Sequence, residues 1–520
     1  MAASSYPLDS YRHLVHDNHA RFESFIQTGI VKPVLLWNLV IPAMLPVLAL
    51  LVPHQKGARY VRPLVMACVI GLAYDTICHR RMLLGGNGYM GGLVPAWGCI
   101  WSATLLIFRN VECDFQRIER HSLPPVTAGP DGDASLNGHT RETRCRDATL
   151  ERPETLTWQA YPQTLFHRLN WILGLVLNMR GPEWNWRISS LGALPPSVQL
   201  QLNPKHNKHN NAIPKSNNMR TCLRAAFATW LKSYLIIDLI KLLMIRDQYF
   251  LGAVYPSPDP PFPFHHLAPY PALVHVYRCL ITGVAILAAL KYVCSLNPLL
   301  FGGLSLAFPN AARTLTSVPL SAAWLYPPAF GPFFTSVFDD GLAGCWSQWW
   351  HQLFRFGFTS TAHWLLSFLP ARLSNTRTIR RFFTVIIAFA LSGLVHASGS
   401  YVQYRETIPL TGAFRFFILQ AVGILAQEII SPSWSRCPKS IRRICNAVFA
   451  LGWLLLTGGS IVEDFSRGGL WFTEPLPVSV LRGLGIGVVP TDRGWWWWGG
   501  TWFGSWDGGE GFWERGVRVY

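Results

Sequence analysis

The chain has 520 residues, half of them hydrophobic and only 14% charged, with a formal net charge of +17. A soluble enzyme carries roughly 25% charged residues, so this composition excludes an ordinary soluble protein and points to the bilayer as solvent. The basic excess lies between apolar runs, as in cytoplasmic loops of multispanning proteins, which sets nucleic acid aside as a partner. The eleven cysteines include no C-x-x-C pair and suggest neither a zinc site nor a disulfide framework.

Residues 1–30 read as a polar N-terminal tail with no cleavable signal pattern. Residues 31–110 predict N-terminal transmembrane helices at about 31–52, 63–78 and 89–108. Each approaches the roughly 20 residues that cross the hydrocarbon core. Pro42 and Pro46 predict kinks in the first, which membrane helices tolerate. Residues 111–220 predict a polar, partly disordered loop. "PPVTAGPDGDASLNGHTRETRCRD" and "NPKHNKHNNAIPKSNN" are rich in turn formers and poor in apolar groups. Between them, "WILGLVLNMRGPEWNWR" reads as an ordered interfacial stretch.

Residues 221–483 predict a membrane core, with spans at about 221–245, 270–295, 382–403, 412–430 and 444–462. Residues 298–335 are apolar but broken by prolines and glycines. Phe356 to Pro370 is short for a crossing and reads as a re-entrant or tilted segment. Residues 484–520 form a Gly/Trp-rich low-complexity tail. The whole predicts an all-α, polytopic transmembrane bundle of about eight to ten membrane segments. The basic loops 371–381 and 435–443 are separated by two crossings and therefore share the cytoplasmic side.

Ionisable groups inside such spans cost about 2.5–3.5 kcal/mol when charged and are the first candidates for function. His396 follows Arg381 by fifteen residues, about 22 Å along a helix, past the bilayer midplane. Ser392, Gly393, Ala397, Ser398 and Gly399 around it are small and allow close approach. It either hydrogen-bonds between helices or serves a site. His351, in "GCWSQWWHQLFRF", sits among tryptophans with Arg355 one turn on. An interfacial aromatic belt with a snorkelling arginine has the same pattern. His363 lacks polar neighbours and reads as structural. Asp238 and Lys241 lie three apart on one helix face, where they can neutralise each other. "HLVHD" (13–17) matches an acyltransferase-like HxxxD pattern, but in the polar tail. No phosphate loop, dinucleotide fingerprint or serine elbow is present.

Taken together, four elements resemble the wax synthase-like branch of the membrane-bound O-acyltransferases (MBOAT). An F-W-x-x-x-W-H-Q-x-x-R-like motif is matched by Trp346, Trp350, His351, Gln352 and Arg355. A W-x-Y-P-P-x-F-G-like element is matched by Trp324, Tyr326, Pro327, Pro328, Phe330 and Gly331. S-G-x-x-H is matched by Ser392, Gly393 and His396. R-G-x-x-W-N-W is matched by Arg180, Gly181, Trp184, Asn185 and Trp186. The resemblance runs from about residue 165 to 483. Cys345 stands where an aromatic is usual, and Ser347, Gln348 and Trp349 replace a basic pair.

The resemblance implies acyl transfer, with acetyl from acetyl-CoA favoured, to a hydroxyl of a lipophilic terpenoid or meroterpenoid. It also implies a multi-pass protein of the endoplasmic reticulum membrane. Acyl-CoA is then a co-substrate, with no metal and no tightly bound cofactor. His396 is the implied general base, since a histidine suits proton transfer near neutral pH. His351 is implied to donate to the thioester carbonyl or to position the CoA end. Trp346, Trp350, Gln352, Arg355 and Ser392 are implied substrate-binding residues, with Arg355 facing CoA phosphates. Other readings are a wax ester synthase acting on long-chain alcohols or, from a different class, a membrane transporter, whose broken helices and embedded polar groups look similar.

Overall fold

The computed structural model describes residues 11–54, 58–83, 86–122, 154–203, 218–488, 492–496, 503–507 and 515–519. The apolar runs become helices, and the polar N-terminal segment adds one more. The first helices are α1 (Tyr11–Gln27), α2 (Leu36–Leu51), α3 (Val61–His79), α4 (Tyr89–Ala103) and α5 (Leu165–Val176). They continue with α6 (Met219–Arg246), α7 (Pro271–Asn297), α8 (Phe333–Gly344) and α9 (Arg355–Leu366). The last three are α10 (Arg377–Val402), α11 (Arg415–Ile430) and α12 (Lys439–Gly468).

Among the described residues, six helical stretches are long and apolar enough to cross a membrane: Val61–His79, Tyr89–Phe108, Pro271–Ala307, Arg377–Val402, Leu410–Trp434 and Lys439–Gly468. The expected eight to ten included two segments that fall outside this set. The 31–52 run yields only the 16-residue α2, with Pro42 and Pro46 inside it, about 24 Å at 1.5 Å per residue. The 221–245 run becomes α6, whose basic and acidic residues dilute its apolar face. Phe356–Pro370, expected to be short, is the 12-residue α9. Large apolar side chains such as Leu64, Ile70, Val448 and Leu456 remain exposed on the spans, as bilayer-facing surfaces require.

Three differences concern the regions expected to be polar or irregular. Residues 11–27 are not a bare tail. Helix α1 docks through Asn18, whose amide donates to Asn87 Oδ1 at 2.9 Å. His13 and Asp17 of "HLVHD" face outward from it. Within 111–220, strands Arg117–Ser122 and Glu154–Gln159 pair antiparallel, and α5 packs against α2. The two polar inserts lie mostly outside the described residues. In the Gly/Trp-rich tail, Phe503–Asp507 pairs antiparallel with Arg515–Val519.

Asp238 and Lys241 do not neutralise each other. Lys241 Nζ donates to the carbonyls of Trp471 and Thr473 at 2.5 and 3.0 Å and lies 3.6 Å from Glu474 Oε1. Asp238 Oδ2 accepts from the backbone N–H of Leu481. Both are buried. The C-terminal segment offers each a better partner, and a buried charge without one is costly.

Helices α4 and α10 meet closely. A Cβ on Gly92 would strike the Ser398 carbonyl, and one on Gly399 would crowd the Tyr89 ring. Small residues at such a crossing let backbones approach where no hydrophobic force drives helices together.

Candidate active site

Helix α8 breaks at Gly341, the residue that turns the chain toward the tryptophan segment. Gly341 has φ +62°, a left-handed value that glycine adopts without steric cost. The break is held from α11. Gln427 Oε1 accepts from the Leu342 N–H at 2.7 Å. Asn446 of α12 donates to the carbonyls of Phe338 and Asp339 at 3.2 and 2.8 Å. A π-helical turn, Cys345–Trp349, follows. The Trp350 N–H donates back to the Cys345 carbonyl at 2.8 Å.

The tryptophan segment is tied from within. Gln352 Nε2 donates to the carbonyls of Trp346 and Trp350 at 2.7 and 2.6 Å. Arg355 Nη1 donates to the Ser347 carbonyl at 2.7 Å and to Gln352 Oε1 at 3.2 Å. Both residues therefore shape the loop. These contacts spend part of the Arg355 guanidinium that the sequence reading aimed at phosphates.

The Y-P-P element is fixed to this loop and to the R-G-x-x-W-N-W element. The Gly331 N–H donates to the Trp349 carbonyl at 3.0 Å. Arg180 Nη1 and Nη2 donate to the carbonyls of Pro328 and Pro327, each at 2.7 Å. Phe330 then lies edge-on to His351 and Trp350, with centroids at 6.1 and 5.4 Å. Trp186 packs on Phe356, with centroids at 4.4 Å.

His396 stands on α10 between α4 and α11. Its ring stacks on Phe417, with centroids 4.5 Å apart and planes 16° apart. Its Nδ1 shares a hydrogen bond with Tyr89 Oη at 2.9 Å. Ser392 is one turn away on the same face and, like His396, only partly buried. Gly393 packs on Phe414, so the small residues near His396 serve helix contact rather than open space.

A continuous row of rings links the two histidines. Phe417 lies 6.0 Å from Trp346, Trp346 lies 5.9 Å from Trp350, and Trp350 lies 5.5 Å from His351. His351 Nδ1 is buried and has no hydrogen-bond partner among the described residues. Burial, and second the Arg180 cation, push the His351 ring down to about 4. It is neutral at physiological pH and carries one N–H. His363, by contrast, is exposed on α9.

Sequence reasoning missed three contributors. Tyr89 looked like the first residue of a span. Phe417 was one apolar residue among many. Gln420 accepts from Trp346 Nε1 at 3.4 Å and donates to Thr457 Oγ1 at 2.9 Å. A glutamine inside an apolar span was the one available signal. No group of three or more His, Cys, Asp or Glu able to hold a metal occurs among the described residues. Surface cavities of about 390 Å³, beside Arg415 and Ser460, and about 220 Å³, beside Arg120 and Asn170, take no lining residue from the histidine cluster.

Residues 326–419, which hold both histidines and the row of rings between them, match the membrane bound O-acyl transferase family. Over those residues the chain is similar to that family. An O-mevalon transferase of Aspergillus niger is 27% identical over 321 residues, 59% of this chain and 63% of that protein. An O-mevalon transferase of Penicillium terrestre is 25% identical over 286 residues, 54% of this chain and 56% of that protein. An acetyltransferase of Humicola fuscoatra is 30% identical over 174 residues, 31% and 38% of the two chains. The matches thus span less than two thirds of these relatives' lengths. No solved structure matches this chain.

Proposed function

We propose that the protein is a membrane O-acyltransferase that moves an acyl group, acetyl in the favoured case, from acyl-CoA to a hydroxyl of a lipophilic secondary metabolite. The observation that supports the reading is that one row of aromatic rings connects His396 and His351, 45 positions apart in sequence. The family match and the names of the relatives support the reaction class.

In this reading His396 takes the proton of the acceptor hydroxyl as its oxygen bonds to the thioester carbonyl carbon. The carbonyl becomes an oxyanion, to which the neutral His351 donates a hydrogen bond. The carbonyl then reforms, the C–S bond breaks, and the CoA thiolate leaves with the proton from His396. The row of aromatic rings walls the path between the two imidazoles and excludes water, which would otherwise compete for the acyl group. No covalent acyl-enzyme is required.

The acceptor is a terpenoid or meroterpenoid alcohol in this proposal, and the setting is the endoplasmic reticulum. A second reading of the donor rests on the two O-mevalon transferases among the matches. There the transferred acyl group is derived from mevalonate. Microsomes containing the protein, incubated with labelled acetyl-CoA or a mevalonate-derived thioester and a panel of lipophilic alcohols, should yield a labelled ester. His396→Ala should abolish it while the protein still accumulates in membranes. A folded His396→Ala variant with near-normal turnover would remove the base from this scheme.

A further inference from the structure

An imidazole can act as a base only through a nitrogen that carries a lone pair. Which nitrogen that is depends on the hydrogen bond made by the other. In His396, Nδ1 is engaged by Tyr89 Oη at 2.9 Å, and Nε2 has no hydrogen-bond partner among the described residues. Stacking on Phe417 fixes the ring plane, so the Tyr89 contact fixes which edge points where.

Tyr89 is itself held rigidly. It is buried at 3% exposure. Its ring meets Phe465 edge-on, with centroids 5.4 Å apart, and lies against Gly399 where no side chain could stand. Its hydroxyl has one proton and two lone pairs. If it donated to Nδ1, Nε2 would carry the imidazole proton and could not accept another. If it accepts from Nδ1–H, Nε2 is free, and the tyrosine proton needs an acceptor elsewhere.

Asp464 of α12 stands close by: it holds Ser400, the neighbour of the Gly399 that the Tyr89 ring lies against, and it precedes Phe465 in the chain. It is fully buried. Its Oδ1 accepts from Ser400 Oγ and the Ile408 N–H, both at 2.8 Å. Its Oδ2 is buried with no hydrogen-bond partner among the described residues. A buried carboxylate oxygen left unpaired is costly. One bridging water that takes the tyrosine proton and donates to Oδ2 would relieve that cost.

We propose that Tyr89 is the positioning residue of His396, holding it as the Nδ1–H tautomer, with Asp464 orienting the Tyr89 hydroxyl from behind. Three chain segments that the sequence separates widely then form one orienting line, Asp464 to Tyr89 to His396. When Nε2 takes up the acceptor's proton, the imidazolium keeps its Nδ1–H bond to Tyr89 and the buried carboxylate offsets its charge. The inference rests on the acyl-transfer reading of His396.

The test compares wild type, Tyr89→Phe, Asp464→Asn and the double variant as full-length protein in microsomes, under the donor and acceptor that the wild type uses. Tyr89→Phe keeps the ring and its packing. Loss of the partner that orients a metal-bound histidine typically costs 10- to 100-fold, and a loss of the same order is expected for this metal-free one. The expected result is a fall in kcat of about that size, with KM for both substrates within about twofold. Asp464→Asn should fall in the same direction. The double variant should be no worse than Tyr89→Phe alone, because both act through one bond; a purely packing role would give additive losses and lowered thermal midpoints. Folded Tyr89→Phe protein with wild-type kcat, or with only KM raised, overturns the inference. Should Tyr89→Phe not accumulate, wild-type kcat in folded Asp464→Asn overturns it equally. A wild type inactive with every donor overturns the reading beneath it, and the inference with it.

Discussion

The side-chain amide of Gln427 occupies the space beside Gly341 that any Cβ there would need. It also accepts from the next backbone N–H, that of Leu342, at 2.7 Å. One residue of α11 thereby sets the bend that aims the tryptophan segment. Gly341→Ala should be damaging twice over, through the clash and through a left-handed φ that costs a non-glycine residue about 1–3 kcal/mol. A lowered thermal midpoint of detergent-solubilised protein, together with reduced ester formation, is expected. An unchanged midpoint would mean that the bend tolerates a side chain.

Arg180 joins two motifs by forking onto two adjacent carbonyls. Hydrogen bonds from charged groups are worth about 1.5–3 kcal/mol each. Lysine keeps the charge but lacks the planar fork. Arg180→Lys should therefore lose at least about tenfold in turnover, corresponding to one such bond, with Arg180→Met losing more. Equal activity in wild type and Arg180→Lys would show that the fork geometry is dispensable.

For His351 the proposed donor role can be graded. One preorganised donor to an oxyanion is worth about 2.7–4 kcal/mol. His351→Ala is expected to lower kcat by about 100- to 1000-fold, while His351→Gln, which retains an N–H, should keep more. His363→Ala serves as the control and should stay within about twofold in the same ester assay, because its ring is exposed and outside the cluster. If His351→Ala and His363→Ala behave alike, His351 is only a wall of the aromatic row.

Acid should weaken the fold through the same side chain. The folded His351 is pushed down to about 4, below the unfolded value of about 6.5. Between those limits the unfolded chain binds more protons. The stability contributed by burying the neutral ring is complete above about pH 6.5 and lost as pH falls toward the folded value. Thermal midpoints measured from pH 7 down to 4.5 should fall, and His351→Gln should flatten part of that fall. Parallel curves would assign the acid sensitivity to other groups.

Lys241 and Glu474 tie α6 to the C-terminal segment in a buried setting. Removing one partner of such a pair costs about 3–5 kcal/mol, whereas replacing both with apolar groups can be neutral. Lys241→Met should accumulate poorly in membranes, and Lys241→Met with Glu474→Leu should recover much of the loss. Quantitative blotting of membrane fractions reads both; a double variant as poor as the single would show that the carbonyls of Trp471 and Thr473 are the partners that matter.

Much of this was legible in the chain alone. A run such as 382–403 declares its helix because a bilayer leaves the backbone no partner but itself, and length and apolar content suffice to see it. His396 and His351 could be singled out by type and setting. Arg180 and the Y-P-P element were visible as motifs, but not as partners. The count of eight to ten spans is not confirmed: α2 has only 16 residues with two prolines inside it, and α6 carries charged residues along its length.

The sequence by itself determined the solvent, the helical class and the chemistry available, since these follow from composition and from order along the chain. Only the tertiary structure decided which groups act together. It paired Lys241 with Glu474 instead of Asp238, bent α8 at Gly341, and brought Tyr89 from the start of one span against His396 near the end of another. Such pairings depend on helices crossing at particular small residues, Gly92 and Gly399 among them. A hydrogen bond reaches only about 3 Å, a distance that position along the chain does not encode.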